Sequence, residues 1–241
     1  MPRFYCPQAL AAGAVIELPD AVAHHVHVVR LQPGAELCLF NGEGGEYVAR
    51  LLSVEKRRAT AEILAFVTRD VELPYQLTLA QALPESAKMD WIVEKAVELG
   101  VSSVVPLAAQ RCVVRLSAER AQKRHSHWQG IIASATEQCG RTRLARLAPL
   151  EDFSSWVAQQ DMHKRILFTP RAKQTLAGWA RHQPPQPLTI MIGPEGGFSQ
   201  QEEDIAINQG ALALSLGARV LRTETAGLAA LAGLNAIWTP A

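Results

Sequence analysis

Two glycine-bearing turns carry the residues best suited to chemistry. The first is Ile190-Met191-Ile192-Gly193-Pro194-Glu195-Gly196-Gly197-Phe198-Ser199, an apolar run, a glycine-rich turn and the start of a helix. Glycines let a ligand approach the backbone closely, and the carboxyl ends of strands are where open α/β sheets bind ligands. Ser199 with Glu202 fits a capping box. The turn is not a dinucleotide fingerprint, because the residue two beyond Gly193 is Glu195. It is not a phosphate-binding P-loop, because no Lys-Ser or Lys-Thr follows the glycines. The second turn, Ser215-Leu216-Gly217-Ala218-Arg219-Val220-Leu221-Arg222, leads into Thr223-Glu224-Thr225-Ala226 and a terminal helix. Two such turns near one sheet edge could wrap a largely uncharged ligand. An ordinary tight connection, with Leu216, Val220 and Leu221 as core residues, reads the same way.

A second constellation is electrostatic. Between Pro106 and Arg146 stand Arg111, Arg115, Arg120, Lys123, Arg124, Arg141, Arg143 and Arg146, opposed only by Glu119 and Glu137, although the whole chain carries a formal charge of just +1. Such a block is either a footprint for phosphate or a solvated helix face. His24, His25 and His27 have no cysteine beside them, and Cys6, Cys38, Cys112 and Cys139 are widely spaced. No metal site is expected, and the cysteines read as reduced thiols of a cytosolic protein. No apolar run reaches the roughly 18 residues of a transmembrane helix. Pro7 and Gly13 interrupt the N-terminal apolar run, so a signal peptide is not expected.

The elements that would position these residues fall into two groups. Up to about residue 70 the pattern is all-β, with strands expected at 36–40, 47–51 and 59–67 and a turn cluster at 41–45. Short strands with glycine-rich turns suggest a small barrel. Residues 70–74 read as a linker, since Pro74 disfavours further pairing. Beyond Tyr75 strands and helices alternate. Strands are expected at 76–83, 103–107, 166–168 and 188–192, and helices at 88–99, about 117–138, near 173–180 and near 200–208. That alternation indicates an α/β domain with a mainly parallel sheet.

Ile192-Gly193-Pro194-Glu195-Gly196-Gly197-Phe198-Ser199, with Leu216-Gly217 and Val220-Leu221-Arg222-Thr223-Glu224-Thr225-Ala226, resembles the signature of the RsmE family of the SPOUT superfamily. Lys88-Met89-Asp90-Trp91-Ile92-Val93-Glu94-Lys95-Ala96-Val97-Glu98-Leu99-Gly100-Val101, Glu137-Gln138-Cys139-Gly140-Arg141 and Pro2-Arg3-Phe4 extend the match along the chain. The resemblance implies a PUA-like RNA-binding β-barrel at 1–72. It further implies a SPOUT methyltransferase domain at 75–241, with a C-terminal trefoil knot and cofactor loops at about 166–226. The implied activity is transfer of a methyl group from S-adenosylmethionine to N3 of a uridine in 16S ribosomal RNA, uridine 1498 in the family. The implied partners are that RNA or the small ribosomal subunit and a second copy of the chain, in the cytoplasm and away from membranes.

Carried onto this sequence, the donor would be held by Leu167, Phe168, Thr169, Ile192, Gly193, Pro194, Glu195, Gly196, Gly197, Leu216, Gly217, Val220, Leu221, Thr223, Thr225 and Ala226. RNA would be met by Arg3, Lys88, Arg111, Arg115, Arg124, Arg141 and Arg143. Transfer to a uracil nitrogen requires loss of the N3 proton and stabilisation of the uracil anion. Glu137, Glu195 and Glu224 are available as proton acceptors, and Arg141 or Arg222 as a counter-charge. Two other readings stay open: a relative within the superfamily that methylates another RNA site, and an RNA-binding assembly factor without catalysis.

Overall fold

A computed structural model describes residues 1–85, 88–160 and 162–239. They form two compact units, one of residues 1–72 with 133–144 and one of residues 73–132 with 145–241.

The first unit is built on a five-stranded sheet: β1 (Arg3–Tyr5), β2 (Val15–Glu17), β3 (Glu36–Phe40), β4 (Glu46–Val54) and β5 (Ala59–Val67), in the order β1-β3-β4-β5-β2. β1 pairs parallel with β3, and the other pairings are antiparallel. Alternation on β5 turns Ala59, Ala61 and Ile63 inward, where they meet Phe4, Leu37, Leu39 and Leu51. Register shifts between Val48 and Ala49 and between Leu51 and Ser53 bend the β4–β5 pair.

The expected all-β unit also holds a helix, α1 (Asp20–Val28). Its core face is Val22, Ala23 and Val26, and it carries the histidine cluster, with His25 edge-on to Phe4 at 5.0 Å. Three histidines and three valines in nine residues give little intrinsic helix propensity, so this helix depends on burial of that face.

Segment 133–144 belongs to the same unit. There Glu137 Oε1 accepts the Tyr5 N–H at 2.6 Å. Arg141, 4% exposed, gives Nε and Nη2 to the Glu72 carboxylate, and its carbonyl accepts Arg3 Nη2 at 2.8 Å. Burial raises the Glu137 carboxyl pKa, against the Tyr5 N–H, the neighbouring His25 and the Arg3 guanidinium, which lower it. A carboxyl whose folded pKa lies above its unfolded value favours folding most below the unfolded pKa and loses that contribution as pH rises through the folded one. Glu137→Gln keeps an acceptor for Tyr5 and removes the buried charge. We expect it to raise the urea midpoint at about pH 7 relative to the parent, and the gain to vanish near pH 4.

The second unit has one parallel sheet. Its elements in chain order are β6 (Leu77–Ala82), α2 (Lys88–Glu98), β7 (Ser103–Ala108), α3 (Ala118–Cys139), β8 (Arg146–Leu147), β9 (Glu151–Asp152), α4 (Phe153–Val157), β10 (Lys164–Phe168), α5 (Leu176–Ala180), β11 (Leu188–Ile192), α6 (Gln200–Asn208), β12 (Leu212–Leu214) and α7 (Thr223–Trp238). The last turns of α3 lie in the first unit's segment. Strand order is β12-β10-β11-β6-β7-β8, with β9 also on β7. Every residue of β6 and of β11 is buried, as expected of central strands covered on both faces. From β10 the chain steps to β11, beside β6, and then crosses back to β12 on the far side of β10. That reversal is a switch point, and ligands bind outside the carboxyl ends of strands at such points.

Gly100, at φ +86, closes α2. Ser199 and Glu202 form the expected capping box on α6. The short elements β8, β9 and α4 were below what hydrophobic period reveals. α5 begins only at Leu176, where the Thr175 hydroxyl accepts the Gly178 N–H.

Candidate functional site

The loops after β10, β11 and β12 converge on a cleft of about 220 Å³. Phe168 and Thr169 come from the first loop, Ile192 to Gly197 from the second, and Leu216, Gly217, Val220 and Leu221 from the third, with Thr223 and Ala226 of α7. Of the expected donor residues, Leu167 and Thr225 are not among those lining it. Leu167 is fully buried in β10, a strand covered on both faces at Arg165, Ile166 and Leu167, and Thr225 faces solvent on α7. Pro170, Arg171, Phe198, Glu203 and Arg219 also line the cleft and were not anticipated. Glu203 illustrates why. It reads as a solvated helix acid, yet it is 5% exposed and paired with Arg171 at 2.6 Å.

The three glycines of the β11 loop have different physical roles. A Cβ on Gly193 would stand 2.7 Å from Phe198 N and 2.9 Å from Gly197 C, so the turn closes on itself only because that atom is missing. Gly197 has φ +66 and open space around it, so its requirement is conformational. Gly196 has neither constraint, since a Cβ there would lie 3.4 Å from Arg111 Cδ. Gly193 is thus required by the turn's own backbone, which packs against it.

Side chains from elsewhere in the unit fix this turn. The Thr223 hydroxyl donates to Gly193 O at 2.6 Å and accepts from Gln81 Nε2 at 3.0 Å, tying α7 and β6 to the loop. Arg111 Nη1 donates to Gly196 O at 2.8 Å and Phe198 O at 3.3 Å. Glu202 Oε1 accepts the Gln110 N–H at 2.7 Å. Arg111 is therefore a positioning residue for the turn. Arg111→Ala is expected to weaken a ligand of the cleft roughly three- to tenfold, the loss of exposed hydrogen bonds from a charged donor. Calorimetric titration would check this, and an unchanged affinity would show that the turn holds without the clamp.

The acids and bases around the cleft are unequally engaged. Glu195 accepts Lys88 Nζ at 2.7 Å and the Glu85 N–H at 3.0 Å. Desolvation alone would raise its pKa. The Lys88 hydrogen bond, with backbone N–H groups, outweighs that and holds the carboxyl below its usual range. Lys88 also stands 3.8 Å from Glu224, whose Oε2 is buried with no hydrogen-bond partner among the described residues. Arg222 is exposed at the N-cap of α7 and makes no side-chain cap hydrogen bond.

Glu137 and Arg141, expected as a base and a counter-charge, belong to the first unit, whereas all cleft residues belong to the second. Arg141 is committed to Glu72, and Arg3 to Glu46 at 2.7 Å and the Phe40 ring. Of the other expected RNA contacts, Arg115 holds Gln110 O at 2.8 Å, while Arg124 and Arg143 are exposed.

A family model for an RNA methyltransferase domain matches residues 71–235, and one for an RNA methyltransferase PUA domain matches residues 18–64. The ribosomal RNA small subunit methyltransferase E of Bacillus subtilis is 30% identical over 90% of this chain and 87% of its own. That of Synechocystis is 33% identical over 93% of this chain and 74% of its own. Among solved structures, that of the Neisseria gonorrhoeae methyltransferase E bound to S-adenosylmethionine superposes with a TM-score of 0.92 at 38% identity, over 99% of this chain and 98% of that one. A Legionella pneumophila methyltransferase in complex with the same molecule gives 0.92 at 35% identity, over 97% and 96%. With its PUA-like unit, its parallel α/β unit and its three-loop cleft, this chain belongs to the ribosomal RNA small subunit methyltransferase E family.

Proposed function

We propose that this protein methylates N3 of a uridine in 16S ribosomal RNA, uridine 1498 in the family, with S-adenosylmethionine as donor. The observation that carries the reading is the cleft at the switch point, with its Gly193 turn held by Thr223, Gln81 and Arg111. Its composition fits the donor. Ile192, Leu216, Val220, Leu221 and Ala226 offer an apolar wall for an adenosine, and backbone polar groups of the glycine turn offer hydrogen bonds to its edges. When bound, S-adenosylmethionine supplies a methyl group on a sulfonium sulfur.

The chain's own part is to place the base and to manage one proton and one negative charge. The target base must leave its stack to reach a cleft of this size. Glu195, held ionised by Lys88, is a poor proton acceptor. Glu224 stands farther from Lys88, at 3.8 Å, and keeps an oxygen without a hydrogen bond, so its carboxylate is the less engaged of the two and is the acceptor of the N3 proton in this reading. Arg222 is free to offer two parallel N–H groups to the uracil oxygens as charge builds on them.

The same reading includes a homodimer in the cytoplasm, with the RNA or the assembled small subunit as partner. Val220 lines the cleft yet is 79% exposed, which suits a wall completed by a second copy. The reading also includes a trefoil knot, supported by the crossing from β11 past β10 to β12 and the return that brings Thr223 to Gly193. None of the helices is long and apolar enough to cross a membrane among the described residues.

Nucleoside mass spectrometry of 16S RNA from a strain lacking this gene tests the proposal. Loss of 3-methyluridine, restored by the intact gene, is the expected result. Unchanged 3-methyluridine with loss of a ribose methylation would favour a different SPOUT activity. An unaltered profile with defective subunit assembly would favour a non-catalytic factor.

A further inference from the structure

The first unit carries an exposed aromatic and an unpaired arginine that the cleft does not use. Phe66, near the end of β5, is 49% exposed, and its neighbour Val67 is also solvent-facing. Its ring lies 5.0 Å from that of Tyr47, its cross-strand partner on β4. The rim of the ring rests on the turn before β4: a Cβ on Gly45 would stand 2.3 Å from Phe66 Cζ. The adjacent glycine does the same for a guanidinium, since a Cβ on Gly44 would stand 2.7 Å from Arg143 Nη2. Both glycines have positive φ, +108 and +69. Two consecutive glycines thus leave room for an aromatic ring at one position and a guanidinium at the next.

Arg143 arrives from a distant part of the sequence and is held there by backbone bonds. The Gly44 N–H donates to Thr142 O at 3.2 Å, and the Leu144 N–H to Gly42 O at 3.3 Å. Its guanidinium has no acidic partner among the described residues. Of the neighbouring acids, Glu46 is paired with Arg3 at 2.7 Å and Arg69 at 3.9 Å, and Glu43, the backbone bridge partner of Arg143, accepts the Asn41 amide at 3.0 Å without forming an ion pair with Arg143. An exposed aromatic ring and an exposed guanidinium outside any ion pair, set at consecutive glycines of one turn, match a nucleotide, with its base on the ring and its phosphate on the arginine.

We propose that Phe66 and Arg143, on the 42–46 turn, form a subsite for one nucleotide of single-stranded RNA, outside the donor cleft. Two features set the site apart: Phe66 lies beyond the 18–64 segment matched by the PUA family model, and Arg143 comes from the 133–144 segment. The proposal rests on the RNA-methyltransferase reading. Its role is to grip unpaired substrate RNA.

The test uses the full-length protein and a short labelled oligouridylate, with an RNA duplex as second probe. Phe66→Leu keeps apolar volume and loses the π-face. It is expected to weaken oligouridylate binding roughly 5- to 100-fold, the range for one stacked base, and to leave duplex binding and the salt slope unchanged. Phe66→Tyr should retain affinity. Arg143→Gln should flatten the slope of log affinity against log salt by about 0.7, one phosphate contact on a single strand. Calorimetric donor affinity, unchanged in all three variants, reports that they are folded. The subsite is overturned if Phe66→Leu and Arg143→Gln bind oligouridylate like the parent, or if Phe66→Leu loses single strand and duplex equally. Should the parent neither bind RNA nor transfer methyl groups, the functional reading itself fails, and the subsite with it.

Discussion

Gly193→Ala is expected to weaken S-adenosylmethionine binding roughly 10- to 100-fold, while Gly196→Ala binds like the parent. The reason is spatial. Gly193 has no positive φ, so alanine can adopt its backbone conformation, but the added carbon would lie 2.7 Å from Phe198 N and 2.9 Å from Gly197 C. Those are backbone atoms, and Phe198 is 2% exposed and packed against Phe153, so the turn can relieve the clash only by opening. Opening also pulls on the Thr223 hydroxyl at Gly193 O. Overpacking of this kind costs about 1–3 kcal/mol, and each 1.4 kcal/mol is about tenfold in affinity. Gly197→Ala falls between the two, because its φ of +66 costs a non-glycine residue about 1–2 kcal/mol without a clash. Calorimetry on the three variants, with circular dichroism to show that each is folded, would read out the order. Equal affinities for Gly193→Ala and Gly196→Ala would mean that the donor does not use this turn.

Arg222→Lys is expected to lower the single-turnover methylation rate by roughly 10²–10³, the usual loss for one transition-state donor, with little change in donor affinity. Arg222 lies between Leu221 and Thr223, both of which line the cleft, while its own side chain is exposed and uncapped. It is therefore poised at the rim without being spent on the loop. A uracil that loses its N3 proton spreads negative charge onto both flanking carbonyl oxygens. A planar guanidinium meets such a pair with two parallel hydrogen bonds, whereas an ammonium offers the charge without the fork. Glu224, two residues on, would hold the proton, so the two would act on one base from nearby positions of the same helix start. The measurement is rapid-quench transfer at saturating donor, beside a donor titration. A lysine variant with a normal rate but no donor binding would make Arg222 a loop anchor.

The character of the second unit could be read from local sequence because its signals are local. Strand 188–192 is continuously apolar, Gly100 ends a helix with period 3.6, and Ser199 and Glu202 stand at capping-box spacing. In the structure these are a buried central strand, a positive-φ stop and a formed box. The helix α1 was not readable, since its histidines and valines lack helix propensity and form a helix only by burying Val22, Ala23 and Val26. Nor was the membership of 133–144 in the first unit. Arg141 sits in a basic block that reads as a phosphate footprint, yet burial with Glu72 commits it to structure. A fragment starting at residue 75 would leave that buried guanidinium without its carboxylate, a costly loss for a buried ion pair.

The sequence by itself determined the longer elements of the α/β unit, the family and the places of the glycine-rich turns, because strand period, capping and glycine-rich turns act over a few residues. Tertiary structure alone decided which member of each loop matters and for what reason. Gly193 is needed for space and Gly197 for φ, while Gly196 is free. Arg111 braces a turn 85 residues away, and Lys88 is shared by Glu195 and Glu224. Those roles depend on distances between residues far apart in the chain. No local pattern encodes such distances, because the energy of a clash, an ion pair or a buried hydrogen bond exists only once packing has brought the partners together.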